Sequence, residues 1–201
     1  MTGYPLPLPV LLLTVLLTIV GCTRSGQEPL QHSQYAGQQM RQIKSLSADD
    51  IHQLEQGSGW GLAKAAELNG MPGPVHLLEL RQQILLTDDQ VAQIEAIFEH
   101  MRSQAILLGK RLIELEIELD SSFANGAVTE EQLRGYLVAI ADVRSELRYV
   151  HLVAHLKTPT ILTAHQIHTY NELRGYGAGD PCESVPNGHD PQRWKMHNNC
   201  D

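Results

Sequence analysis

TDDQVAQIEAIFEHMRSQAILLGKRLIELEIEL, residues 87–119, decides the fold. Its apolar positions are Val91, Ile94, Phe98, Met101, Ala105, Leu108, Leu112, Leu115 and Leu119, and the steps between them alternate three and four without a miss. At 3.6 residues per turn that spacing lays one apolar seam along one side of a helix. A second series downstream keeps the same alternation through Leu133, Tyr136, Ile140, Val143, Leu147, Val150 and Ala154. Between them Asn125-Gly126 stops a helix and Thr129 opens another. Two long helices joined by so short a loop lie antiparallel. Neither is apolar all round, so each needs the other's seam. The expected fold class is all-α: an antiparallel helical hairpin of two long helices with short flanking helices.

The flanking pieces read outward from this pair. Ser47-Ala48-Asp49-Asp50 marks a helix start, and Gly57-Ser58-Gly59 its end. GLAKAAELNG, residues 61–70, is a second short helix stopped at Gly70, and MPGP, residues 71–74, is a turn. Val75 to Leu85 can then be helical, with Pro74 as a good first residue. Pro159 ends or kinks the second long arm. A last short helix runs from Thr163 to about Arg174 and is closed by Gly175 and Gly177. This sets a helical domain over 37–177 and a flexible tail over 178–201, rich in Pro, Gly and Asn.

The start of the chain belongs to targeting. Val10–Val20 is an apolar run too short to cross a bilayer as a helix, which takes about 20 residues. It fits the core of a secretory leader, with the α-amine as its positive charge because no Lys or Arg precedes it. Ile19-Val20-Gly21-Cys22 follows at once and resembles the lipobox of bacterial lipoproteins. That implies a leader peptide over 1–21, lipidation of Cys22 and a membrane anchor on the periplasmic side of the cell envelope. Residues 22–36 are polar and aperiodic and read as a tether. In an oxidising compartment Cys182 and Cys200 are expected to pair as a disulfide. The alternative is a soft metal pair with His189 and His197, whose spacing matches no standard zinc pattern.

The net charge of −8 argues against nucleic acid as a partner, since phosphate binding rests on clustered Lys and Arg. The chain has no glycine-rich phosphate loop, nucleophile elbow, CxxC or His-Glu-x-x-His. No Ser, His and Asp spacing suggests a triad, so an enzyme is not expected.

Leu86-Thr87-Asp88-Asp89-Gln90 and Leu162-Thr163-Ala164-His165-Gln166 share the string LTxxQ. Locally it is a capping box: Thr accepts from the N–H three residues on, and Gln reaches back to the cap's own N–H. Thr129-Glu130-Glu131-Gln132 is the same box. A secretion leader, an all-helical chain and two LTxxQ boxes flanking a long hairpin resemble the Spy/CpxP superfamily of bacterial envelope proteins, over roughly residues 71 to 175. The stretch GLAKAAELNGMPGPVHLLEL also looks like the leading part of periplasmic heavy-metal sensors. The resemblance implies a homodimer with one of two roles. One is a metal sensor similar to CnrX or ZraP, read by a membrane-bound signalling partner. The other is an ATP-independent holdase chaperone that receives unfolded client proteins. The charge of −8 departs from the basic cradle of Spy-like chaperones.

His151 and His155 stand four apart and so on one face of the second arm. By heptad position they fall at e and b, and Glu95 and Glu99 fall at e and b of the first arm. With the loop centred near residue 126, His151 is level with about residue 101 and His155 with about residue 97. Two imidazoles and one or two carboxylates are then expected on one flank, either as ligands or as solvated and ion-paired groups. His76 can join them if its helix folds back. The resemblance to CnrX-like sensors implies the ligand set His76, Glu95, His151 and His155. Position 155 is His where that family has Met, and position 72 is Pro72 where it has a second His. The replacement favours zinc, nickel or copper(II) as the divalent transition metal.

Overall fold

Helix starts in this chain are written in side-chain hydrogen bonds. Ser47, Thr87, Thr129 and Thr163 each accept from the N–H three residues on, and the side chain at that third position returns a bond to the cap's own N–H. The computed structural model describes residues 33–177, 182, 185, 190–197 and 200. The expected leader over 1–21, Cys22, the tether as far as residue 32, and His189 lie outside the described residues. The chain divides into the units Met1–Ala36 and Gly37–Asp201. Of the first, residues 33–36 form a turn.

After a single 3-10 turn at Gln38–Met40 the helices run α1 (Ala48–Gln56), α2 (Lys64–Glu67), α3 (Pro74–Glu79), α4 (Asp88–Ala124), α5 (Glu130–Lys157), α6 (Ala164–Leu173) and α7 (Pro191–His197). The described residues contain no strand. Nor do they contain a helix long and apolar enough to cross a membrane. The 37 residues of α4 span about 55 Å, and α4 and α5 pack on each other along the expected seam. Ile94, Met101, Ala105, Leu112 and Leu115 are buried on α4, and Ile140, Leu147 and Ala154 on α5. Thr158–Thr160 tightens to a 3-10 turn where Pro159 interrupts the arm. In the tail Cys182 and Cys200 form a disulfide with Cα atoms 5.5 Å apart.

Two apolar clusters result. Ile43, Leu46 and Leu54 cover Ala105, Leu112, Leu115, Ile140 and Leu147. Leu77, Ile84, Ile94 and the fully buried Tyr170 form the other. On α4 they are separated by the turns between Ile94 and Ala105. In the first cluster α1 meets α4 at Gly109, where a Cβ would run into the backbone carbonyl of Leu54. A glycine in mid-helix is normally unfavourable by about 1 kcal/mol. Here it sets the depth at which α1 seats.

The expected helix over Val75–Leu85 is shorter, ending at Glu79. The chain continues in turns to Leu85, which takes the left-handed conformation at φ 58°. The Leu86 N–H bonds back to the Arg81 carbonyl, and the backbone turns into the Thr87 cap. That turn aims the Leu85 carbonyl at Gln166, whose amide donates to it at 3.2 Å.

The two LTxxQ boxes are joined. The Gln90 and Gln166 carboxamides donate to each other at 2.9 and 3.0 Å. Each also donates to a backbone carbonyl, Gln90 to Ile161 and Gln166 to Leu85, while its oxygen still accepts from its own cap N–H. Both protons and two acceptor positions of each amide are thus used, the full capacity of the group.

Gln166→Ala is expected to cost about 3 kcal/mol, because it strands the Gln90 amide and the Leu85 carbonyl. Urea unfolding should show a lower midpoint at unchanged slope. Gly109→Ala is expected to lose about 2 kcal/mol despite the better helix propensity of alanine. A neutral or stabilising result in the same assay would show that α1 does not seat on this contact.

Candidate functional site

His151 and His155 lie one turn apart on α5 and are 3% and 7% exposed. Heptad position puts them on the flanks of a two-helix seam, where solvent is the expected neighbour. They are buried because the short segments before α4 cover that flank. The His155 Nδ1–H donates to the Met71 carbonyl at 2.8 Å, and the Thr158 hydroxyl donates to the Pro72 carbonyl. Pro72, Gly73 and Pro74 are themselves buried. At Gly73 any Cβ would meet the His155 ring at 2.7–2.8 Å, so the imidazole rests directly on the backbone. The bond to Met71 fixes the tautomer and leaves Nε2 as the nitrogen with a lone pair in the neutral ring.

Beside these rings is a cavity of about 560 Å³. Its walls come from the end of α1 and the turn after it (Gln56–Gly61), from α2 (Lys64, Glu67), from Gly73–His76, from α4 (Phe98, Met101, Arg102) and from α5 (His151, His155). It occupies the interval between the two apolar clusters. Trp60 is held there by its Nε1–H, which donates to Asp50 at 2.8 Å, and by the Arg144 guanidinium 4.8 Å over its ring. Three imidazoles, those of His76, His151 and His155, share this lining with a single carboxylate, that of Glu67.

The imidazoles differ in their bonding. His76 is half-buried and its Nδ1 pairs with Glu79 at 2.8 Å. The buried Nε2 of His151 has no hydrogen-bond partner among the described residues. Burial, reinforced by the neighbouring His155, pushes the pKa of His151 down from 6.5 to about 4. The ring is therefore neutral at physiological pH, and its Nε2 is buried without a partner among the described residues. Leaving such an atom unpaired costs about 1–3 kcal/mol.

Glu67 joins the cavity to α6. Its Oε2 is 3.7 Å from the His155 Nδ1. Its Oε1 accepts from the Tyr170 hydroxyl at 2.6 Å, the Tyr176 hydroxyl at 3.2 Å and the Arg174 Nε at 3.3 Å. Burial, then the Glu67 contacts, raise the Tyr170 pKa well above the usual phenol range, so this donor keeps its proton.

The structure thus gathers three of the four ligands expected from the sequence: His76, His151 and His155 line one cavity. Glu95 is exposed and is not part of the lining, and Glu99 is exposed as well. On α4 the residues that share the cavity with the two α5 histidines are Phe98, Met101 and Arg102. Phe98 and Met101 belong to the α4 seam, not to the flank expected to bring Glu95 and Glu99. Glu67 was not anticipated. It sits in a four-residue helix with no periodicity to reveal a facing side. Among the described residues no group of three or more His, Cys, Asp or Glu is placed to hold a metal ion as the side chains stand. Comparison with family models, curated proteins and solved structures gives no match.

His151→Leu is expected to gain about 1 kcal/mol at pH 7 by removing the unpaired nitrogen. With its folded-state pKa depressed, wild-type His151 takes up a proton only in the unfolded chain as pH falls from 6.5 to about 4. That removes wild-type stability on the order of 3 kcal/mol, and the loss levels off below the folded-state pKa. The stability gap between variant and wild type should widen across that window in urea melts. A constant gap would show that the folded protein protonates His151 normally.

Proposed function

We propose that the chain is an envelope lipoprotein, anchored through Cys22, whose helical domain binds a divalent transition metal and reports it. The observation that carries this reading is the His151 Nε2, a neutral and unpartnered nitrogen buried beside two further imidazoles at one cavity. The donor chemistry fits zinc, nickel or copper(II), which imidazole suits. His151 and His155 supply the pair and His76 the third nitrogen, after its side chain turns from Glu79. His151 stays neutral down to about pH 4, so it remains available as a ligand where an ordinary histidine is protonated. In this reading α4 and α5 form an antiparallel hairpin, two copies make a homodimer, and a membrane-bound partner reads the arrangement of helices. No catalysis is involved.

A holdase role is the second reading. It is favoured by the exposed Leu137, Val138, Tyr149 and Leu156 on α5, which offer apolar surface to an unfolded client.

Titration of zinc, nickel and copper(II) into the full-length chain in detergent tests the first reading. Micromolar binding is expected, weakened at least 100-fold in His151→Ala/His155→Ala, since both bonded nitrogens are lost. Absence of micromolar binding in the wild type would overturn it. Suppressed aggregation of a denatured client, indifferent to chelator, would favour the holdase.

A further inference from the structure

We infer that Glu67 transmits the state of the cavity to α6, an inference that rests on the metal-binding reading above. Glu67 provides the one carboxylate in the lining, and its two oxygens face different structures. Oε2 is on the His155 side. Oε1 takes hydrogen bonds from Tyr170, Arg174 and Tyr176, none of which lines the cavity. A second path closes the circuit: the Gly73 N–H donates to the Tyr170 hydroxyl at 3.4 Å, and Gly73 lies directly against the His155 ring.

The chemistry of a carboxylate makes this a relay. Each oxygen can accept separately, and the group rotates as one rigid plane. When Oε2 turns from the Nδ1 edge of His155 to join the imidazoles as a ligand, the orientation of Oε1 toward its three donors is fixed by the same event. Conversely, the three donors hold Oε2 toward the cavity and neutralise part of the carboxylate charge through Arg174. Outer partners of this kind typically change metal affinity about 10–100-fold. Linkage then requires the effect to run both ways: a bound ion must steady α6 as much as a seated α6 favours the ion. Glu67 thereby supplies the carboxylate that the α4 helix does not bring to the cavity.

Two measurements on the full-length chain test this. Amide hydrogen exchange over residues 164–173, read with and without zinc, is expected to slow about tenfold when zinc is bound. Arg174→Gln/Tyr176→Phe, which leaves every lining residue in place, is expected to bind zinc about tenfold more weakly. Glu67→Gln, which removes a ligand, is expected to bind zinc about tenfold more weakly and, at zinc concentrations that saturate it, to show no zinc-dependent protection of α6. If wild-type protein binds zinc while exchange in α6 is unchanged, Glu67 is only a structural tie and the relay is overturned, whatever the variants do. If wild-type protein binds no zinc, the metal-binding reading falls and takes the relay with it.

Discussion

Two carboxamides set the geometry of this protein. Gln90 and Gln166 each begin as the third residue of a capping box, a local device that settles a helix start. Because they also bond to each other, the start of α4 and the start of α6 become one rigid corner. That corner carries α6 back over α3, buries Tyr170 among Leu77, Ile84 and Ile94, and brings its hydroxyl to Glu67 and Gly73. Through Tyr170 the corner is thus bonded to the floor under the His155 ring and to the carboxylate beside it. A shared pair of amides with every donor used tolerates little sliding, since a shift of one residue would leave several polar groups unpaired at once.

The parts of the fold legible in the sequence are those decided by near neighbours. The three-four spacing of apolar residues identified the buried side of α4 and α5, from Ile94 and Leu112 to Ile140 and Leu147. Capping residues marked the starts of α1, α4, α5 and α6. Residues brought together by tertiary packing were not legible in the same way. Nothing periodic links Glu67 to Tyr170, 103 positions away. The burial of His151 and His155 follows from the cover laid over them by Met71, Pro72 and Gly73, a stretch with two prolines and no helical pattern. For the same reason heptad arithmetic did not give the side of α4 that lines the cavity, and Glu95 fell outside it. The end of α3 was missed because the chain leaves the helix at Leu80, at φ −96° and ψ 10°, where no glycine or proline marks a stop.

The cavity lining holds one of the two buried side-chain atoms that lack a hydrogen-bond partner among the described residues. Elsewhere among the described residues buried side-chain polar atoms are matched, as Glu116 is by the Ser45 hydroxyl at 2.7 Å, except the Oδ1 of Asn171. At His151 a buried nitrogen is left without a partner beside an open volume. Local inconsistencies of this kind concentrate at functional sites, where stability is given up for a prepared ligand geometry. Apolar clusters on both sides of it, around Ala105 and around Ile94, keep the intervening turns of α4 and α5 in place without side chains filling the space.

Leu85 carries a separate consequence. Its side chain is 78% exposed, and its contribution to the corner is a backbone carbonyl delivered by a left-handed turn. Selection for the fold therefore acts on the torsion angles at this position and hardly at all on the leucine itself. Glycine or asparagine meets the same requirement with less steric conflict. Position 85 is thus open to drift toward those residues in descendants of this chain, while the glutamine that its carbonyl serves is held in place.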